Sequence, residues 1–236
     1  MPTPGRAPWE APNTLGTNRL TDRSTIRDVL RVGRSSDARE RLVRTAARLF
    51  LARSYQAVGV DELCAVADVR KGSFYYFFRS KTDLAKAVID RHAVYLWSRL
   101  DEAGAIGEDG DAAVRLHAIA DAVGAIQESF EQRFGSVVGC PFGNLAAELA
   151  TTDHALHEHL AAVFAEWEGR LAALCRQAEA QGSLRPGLDP DLLARILIAQ
   201  FQGMILLAKA GRSSASEIPA ALHQVIDSHL MQGAGT

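Results

Sequence analysis

Apolar residues recur with a helical period from about Asp37 onward. Leu42, Ala46, Leu49, Phe50 and Arg53 fall at i, i+4, i+7, i+8 and i+11, an apolar stripe ending on a basic residue. Ser36 or Asp37 can cap this first helix. A second, short helix fits Val60 to Ala67, with Val60, Leu63, Cys64 and Ala67 on one face. Its first turn holds Asp61 and Glu62, where the helix dipole favours anions. A third fits Lys71 to Phe77. A fourth begins near Lys81, capped by Thr82 or Ser80, and runs to about Leu100 through Leu84, Ala87, Val88, Val94 and Tyr95.

Gly104 to Gly110 (GAIGEDG) breaks the pattern. Long helices follow at about Asp111–Phe134, Asp153–Gln181, Asp189–Arg212 and Ser216–Met231, with a short one at Asn144–Ala150. Gly182-Ser183 and Pro186-Gly187 mark one turn, and Gly211 to Ser216 another. No segment alternates with period two, and no repeat of fixed length recurs. The fold expected is all-α.

Residues 1–34 lack the pattern and are rich in Pro, Gly, Thr, Asn and Arg, so residues 1–35 read as a disordered basic tail. Six arginines stand there against three acids. Such a tail could touch DNA phosphates or a minor groove. It could equally be a solvated extension, or an upstream-misassigned start.

Composition adds limits. The 236 residues carry 47% hydrophobic and 23% charged side chains, the profile of a folded chain. The most apolar run, Ile196 to Ala208, is broken by Gln200, Gln202 and Gly203, so no membrane span is expected. No signal peptide is legible. Cys64, Cys140 and Cys175 lie far apart, which argues against a disulfide framework or zinc ribbon and fits a reducing cytoplasm. The net charge of −2 hides an asymmetry. Residues 1–100 hold 18 Lys/Arg and 10 Asp/Glu, net +8, and residues 101–236 hold 8 and 18, net −10. A polyanion-binding part joined to an acidic part is one reading, and a merely solvated basic half the other.

The two short helices are too small to form a core. As a surface device they fit a helix-turn-helix over residues 59–78, whose second helix enters the DNA major groove. Lys71 opens that helix, where charge and free backbone N–H groups can meet phosphates or base edges. Gly72 lets backbone approach closely. Five aromatics in a row, Phe74 to Phe78, cannot all face inward. Phe74 and Phe78 share one face, so Tyr75 or Tyr76 must be exposed beside Lys and Arg.

Residues 39–84 resemble the DNA-binding domain of the tetracycline-repressor (TetR/AcrR) family of bacterial regulators. The resemblance rests on Ala46, Ala47, Leu49 and Phe50, on the V-D-E-L stretch at Val60, and on KGSFYYFF-x-SK-x-x-L. The stretch Gly139-Cys140-Pro141-Phe142-Gly143-Asn144-Leu145-Ala146 resembles a subgroup with a GC-x-x-GNLA-like turn in its ligand domain. The resemblance implies a DNA-binding domain over 36–96 and a ligand-binding and dimerisation domain over 97–236. It places Lys71, Gly72, Ser73 and Tyr75 at base- or backbone-contacting positions, and Tyr76 and Lys81 at phosphate clamps. Gly59 and Val60 match the start of the motif's first helix, where Ser or Thr often touches phosphate. Gly59 can offer only its N–H. Asp68 stands where Gly is usual, and Arg70 where a capping Ser is common. Arg70 loses the cap but gains reach to a phosphate or guanine.

The function implied is a homodimeric, cytoplasmic repressor that binds a palindromic double-stranded DNA operator and is released by a small-molecule effector. No enzyme activity, cofactor or membrane partner is implied. Leu192 to Ala208 is apolar nearly all round, so this helix should be buried on more than one face. Dimerisation through the last two long helices would do that, and burial inside one subunit is the alternative. The final helix offers Ile218, Ala221, Leu222, Val225, Ile226 and Leu230 as a second interface. Phe130, Phe134, Cys140, Phe142, Phe164, Trp167, Phe201 and Met204 are candidates to line an effector pocket, or else plain core. Cys140 could be a reactive thiol if the next helix N-terminus lowers its pKa, and is otherwise an inert structural cysteine, the more usual case. His154, His157 and His159 cluster near Asp153 and Glu158, and His154 and His157 share a face that could chelate a metal. More often such histidines are solvated, and no metal is assigned. An enzyme using Cys140 with His154 or His157 as base, and an architectural DNA-binding protein without effector, are the competing classes.

Overall fold

A computed structural model describes residues 23–104, 110–211 and 214–231, with side chains from Asp37 onward. Helix follows helix: α1 Arg23–Ala52, α2 Val60–Ala67, α3 Lys71–Phe77, α4 Lys81–Gly104, α5 Ala112–Phe134, α6 Pro141–Leu149, α7 His154–Ala180, α8 Pro190–Lys209 and α9 Ile218–His229. Among the described residues there is no strand, only an isolated antiparallel bridge between Leu184 and Leu230. The all-α expectation holds.

Three helices start elsewhere than the periodicity predicts. Helix α1 starts at Arg23, so Ser36 and Asp37 lie inside it and cap nothing. Helix α1 takes in residues 23–35 of the expected tail, and the remainder, 1–22, falls outside the described residues. Ile26, Val29 and Leu30 keep helical spacing, and no proline interrupts 23–52. Gly33 alone weakens the run, at a cost of about 1 kcal/mol. Helix α6 begins at Pro141 rather than Asn144, because proline at the first helical position loses no hydrogen bond and has its φ preset. Helix α9 is shorter at both ends, preceded by a 3₁₀ turn, Ala215–Glu217, whose Ser214 and Glu217 form a capping box. The remaining starts follow local chemistry. Ser80 caps α4 by accepting from the Asp83 N–H at 3.0 Å. Asp111, Asp153 and Asp189 cap α5, α7 and α8 in the same way.

The chain divides into two compact units between Arg91 and His92, within α4. In the first, α1 packs on α2 and α3 around Leu42, Ala46, Phe50, Leu63, Phe74 and Phe78. In the second, α7 and α8 pack side by side, and α9 lies on α5 and α8. Ile218, Leu222 and Ile226 of α9 are fully buried there. They are spent within the subunit, so the expected second interface on the final helix is corrected. Helix α8 is apolar and long enough to cross a membrane by composition alone, yet Leu193, Leu197, Phe201 and Ile205 pack inward. Its outward side still exposes Leu192, Leu206 and Leu207. Burial inside one subunit thus accounts for only part of its surface.

Candidate functional site

In the first unit, α2 and α3 are joined by a turn of three residues. Asp68 adopts the left-handed conformation, φ 51°, ψ 53°. The Asp68 N–H donates to the Ala65 carbonyl and the Val69 N–H to the Cys64 carbonyl, a Schellman closure. Aspartate tolerates this backbone better than most side chains, so the turn survives without glycine. Arg41 of α1 covers the remaining carbonyls, donating from Nε to Ala67 O at 3.0 Å and from Nη2 to Asp68 O at 3.2 Å. Asp37 pairs with the same guanidinium. Sequence reading missed Arg41, because the contact spans 26 residues and no local pattern announces it.

Helix α3 presents two faces. Phe74 and Phe78 are buried, 5.9 Å apart, with the Arg39 guanidinium over the Phe78 ring. Tyr75 is 51% exposed and Tyr76 78%, and Lys71, Gly72 and Arg70 are exposed beside them. Open space surrounds the Cα of Gly72 and of Gly59. Gly59 caps α2 in an extended conformation without a side-chain acceptor, and Val60 follows half-buried. Arg70 caps α3 likewise, leaving its side chain uncommitted to the cap. Ser73 is half-buried. The Lys71 ammonium sits 2.6 Å from Asp61, a partner that pushes its pKa up and keeps it charged. Lys81, at the start of α4, lies 4.0 Å over the Tyr55 ring and 5.9 Å from that of Phe50.

In the second unit an apolar cavity of about 30 Å³ is lined from α4 to α8. Phe130, Cys140, Phe142 and Trp167 line it. Phe134, Phe164, Phe201 and Met204 do not. Phe164 and Phe201 instead pack against the Trp167 ring, 6.4 and 6.2 Å between centroids, and Phe134 against Phe130. Sequence reading missed His92, Tyr95 and Gln127 in the wall. Gln127 had a signal: an amide on the α5 stripe of Leu116, Ala120, Val123 and Phe130, all buried. His92 stands edge-on to Phe142.

Cys140 caps α6 and accepts from the Gln202 amide at 3.4 Å. The amides of Phe142 and Gly143 favour its thiolate, but burial outweighs them and pushes the thiol pKa up. The condition for a reactive thiol, a pKa lowered by the helix N-terminus, is not met, and the inert alternative fits better. His154 and His157 are exposed on the first turns of α7 and do not line the cavity holding Cys140. Among the described residues no group of three or more His, Cys, Asp or Glu could hold a metal ion.

Two family models match the chain: that of bacterial regulatory proteins of the tetR family over residues 42–88, and that of the tetracyclin repressor-like C-terminal domain over 112–222. The chain is 34% identical to the transcriptional regulator AcuR of Cereibacter sphaeroides over 176 residues, 74% of this chain and 78% of that one. It is 32% identical to the transcriptional repressor NemR of Escherichia coli K12 over 183 residues, 75% of this chain and 86% of the relative. The crystal structure of reduced E. coli NemR superposes with a TM-score of 0.72 at 28% identity, covering 84% of this chain and 100% of that one. Helix-turn-helix, acidic helical second unit and relatives converge: the chain belongs to the TetR family of DNA-binding transcriptional regulators, and is not an enzyme.

Proposed function

We propose that the protein is a homodimeric repressor whose α3 enters the major groove of a palindromic operator, and which a small-molecule effector releases. The two-faced α3 carries this reading: Phe74 and Phe78 anchor it while Lys71, Tyr75 and Tyr76 stand in solvent. In the bound state Lys71, Gly72, Ser73 and Tyr75 meet bases or backbone. Tyr76, Lys81, Arg70 and the N–H groups at Gly59 and Val60 meet phosphates. A second copy covers the outward sides of α7 and α8. There α7 carries Ala162, Ala165, Gly169 and Ala173, small enough for close helix approach, and α8 carries Leu192, Leu206 and Leu207. Effector entering the cavity biases α4, which bears Lys81 at its start and His92 and Tyr95 in the cavity wall, towards a state with wrongly spaced reading helices. Such a protein acts in the cytoplasm, where its operator is.

Fluorescence anisotropy with labelled upstream DNA tests the α3 assignment. Lys71→Ala and Tyr76→Ala should each weaken binding, and Lys71→Ala should reduce the slope of log K against log salt by about 1. Unchanged affinity in both variants would put the reading surface elsewhere.

Release through the Cys140 thiol is a second reading, supported by its place in the cavity wall and by the E. coli relative's structure being described as a reduced form. Against it stands the burial of Cys140, which keeps the thiol protonated at neutral pH. Alkylation of Cys140 by iodoacetamide should be slow at pH 7 and accelerate only above the ordinary thiol range. If Cys140→Ser still releases DNA when an electrophile is added, the thiol reading is dead while effector release stands.

A further inference from the structure

The second unit has a larger opening than the cavity at Cys140. A cleft of about 390 Å³ lies between the end of α4, the start of α5 and the middle of α7. Its volume is that of a small-molecule site, and the cavity of about 30 Å³ shares no wall residue with it. Leu100, Ile119, Leu171 and Leu174 form an apolar floor. Arg115 and Arg170 stand in the wall with Asp101 and Gly104. Of the wall residues only Ala173 also belongs to the α7 face proposed above for a second copy.

The two arginines differ in what holds them. Arg170 is neutralised: Asp101 lies 2.7 Å and Glu166 2.9 Å from its guanidinium, which sits 4.8 Å over the Trp97 ring. Arg99, Arg176 and Arg195 of the same unit likewise each hold a carboxylate. Arg115 is half-buried and holds none among the described residues. Its Nη1 donates to the neutral amide of Gln177 at 2.8 Å, and its Nε is buried without an acceptor. Desolvation disfavours a guanidinium so placed, and no counter-charge offsets it. A neutral side chain would avoid that cost, so the charge fits an anionic occupant. Unlike Nε, Nη2 is not buried, and it makes no hydrogen bond among the described residues. It lies beside Gly104 of the same wall, where a Cβ would stand 3.7 Å from it. With no side chain on Gly104, the Nη2 group is open to the cleft. We infer that the cleft binds an amphipathic monocarboxylate, its acid on Arg115 Nη2 and its apolar body along Leu100, Ile119, Leu171 and Leu174. The head makes a charge-assisted hydrogen bond, stronger than one between neutral groups. A dianion such as a phosphate monoester is disfavoured, because one free guanidinium cannot balance two charges beside Asp101. The site is separate from the cavity used in the effector reading, and its occupancy is measured without DNA.

Calorimetric titration of the full chain with octanoate, against octanamide as its neutral near-isostere and acetate as the head alone, is the test. Octanoate should bind saturably, and octanamide and acetate each about tenfold more weakly or worse. Arg115→Gln removes the charge and keeps a donor for the Gln177 amide. It should melt with the parent and weaken octanoate by about tenfold or more. Gly104→Leu leaves Arg115 in place but fills the space beside Nη2, and should weaken octanoate similarly. Three results would each overturn the inference. Octanoate might show no saturation. Octanamide or acetate might bind as tightly as octanoate. Octanoate affinity might be unchanged in a variant that melts with the parent.

Discussion

Asp68 holds a backbone conformation that usually belongs to glycine, and the helix-turn-helix depends on it. Asp68→Gly should fold and bind operator as the parent does. Asp68→Val should lose about 1–2 kcal/mol in denaturant unfolding, because a β-branched side chain fits that region worst. Equal midpoints for the two variants would show that the turn relaxes away from φ 51°. Asp61 offers a second test at this scale. It occupies the Lys71 ammonium that the proposed complex gives to DNA. Asp61→Asn should therefore tighten operator binding at low salt, and weaker binding would mean that the pair positions Lys71 instead of competing for it. The aromatic run showed in advance which faces Phe74, Phe78 and the tyrosines take, because five aromatics on one helix cannot all be inside. The Lys71–Asp61 pair and Arg41 could not be read so, since their partners are distant in sequence and meet only after folding.

At the scale of elements, the caps and periodicity carried most of the helix map, and the misses have local causes. Helix α6 starts early because Pro141 can begin a helix, and α1 starts early because weak apolar spacing upstream of Asp37 still sustains it. The apolar face of α9 was visible, but not whether another subunit or α5 would cover it. The packing of α9 on α5 depends on Gly124, where any Cβ would overlap the Pro219 ring. Gly124→Ala should cost about 1–3 kcal/mol in thermal or denaturant unfolding through that overlap. An unchanged melting temperature would mean that α9 can shift without cost. The cavity was half legible. Large apolar residues pointed to the second unit, yet Phe164 and Phe201 serve as backing for Trp167. The polar wall residue Gln127 was hidden by its apolar neighbours.

For the whole molecule, the net charge of −2 is a cancellation between a basic half and an acidic one. In the proposed complex the basic half meets the phosphates and the acidic half is repelled by them. In the proposed dimer, two-fold pairing through α7 and α8 sets two copies of α3 against successive major grooves. Leu206 is 63% exposed, so Leu206→Glu should leave the subunit folded and convert the dimer to monomer in light scattering, with loss of operator affinity. A variant that stays dimeric would move the interface off this face. The central claim is that paired copies of α3 read DNA, and footprinting of the upstream region is its most direct measurement. The account predicts protection of a palindrome whose half-sites lie roughly one helical turn apart, about 34–36 Å, abolished in Lys71→Ala/Tyr76→Ala protein. Protection without two-fold symmetry, or a footprint that survives the double substitution, would contradict it.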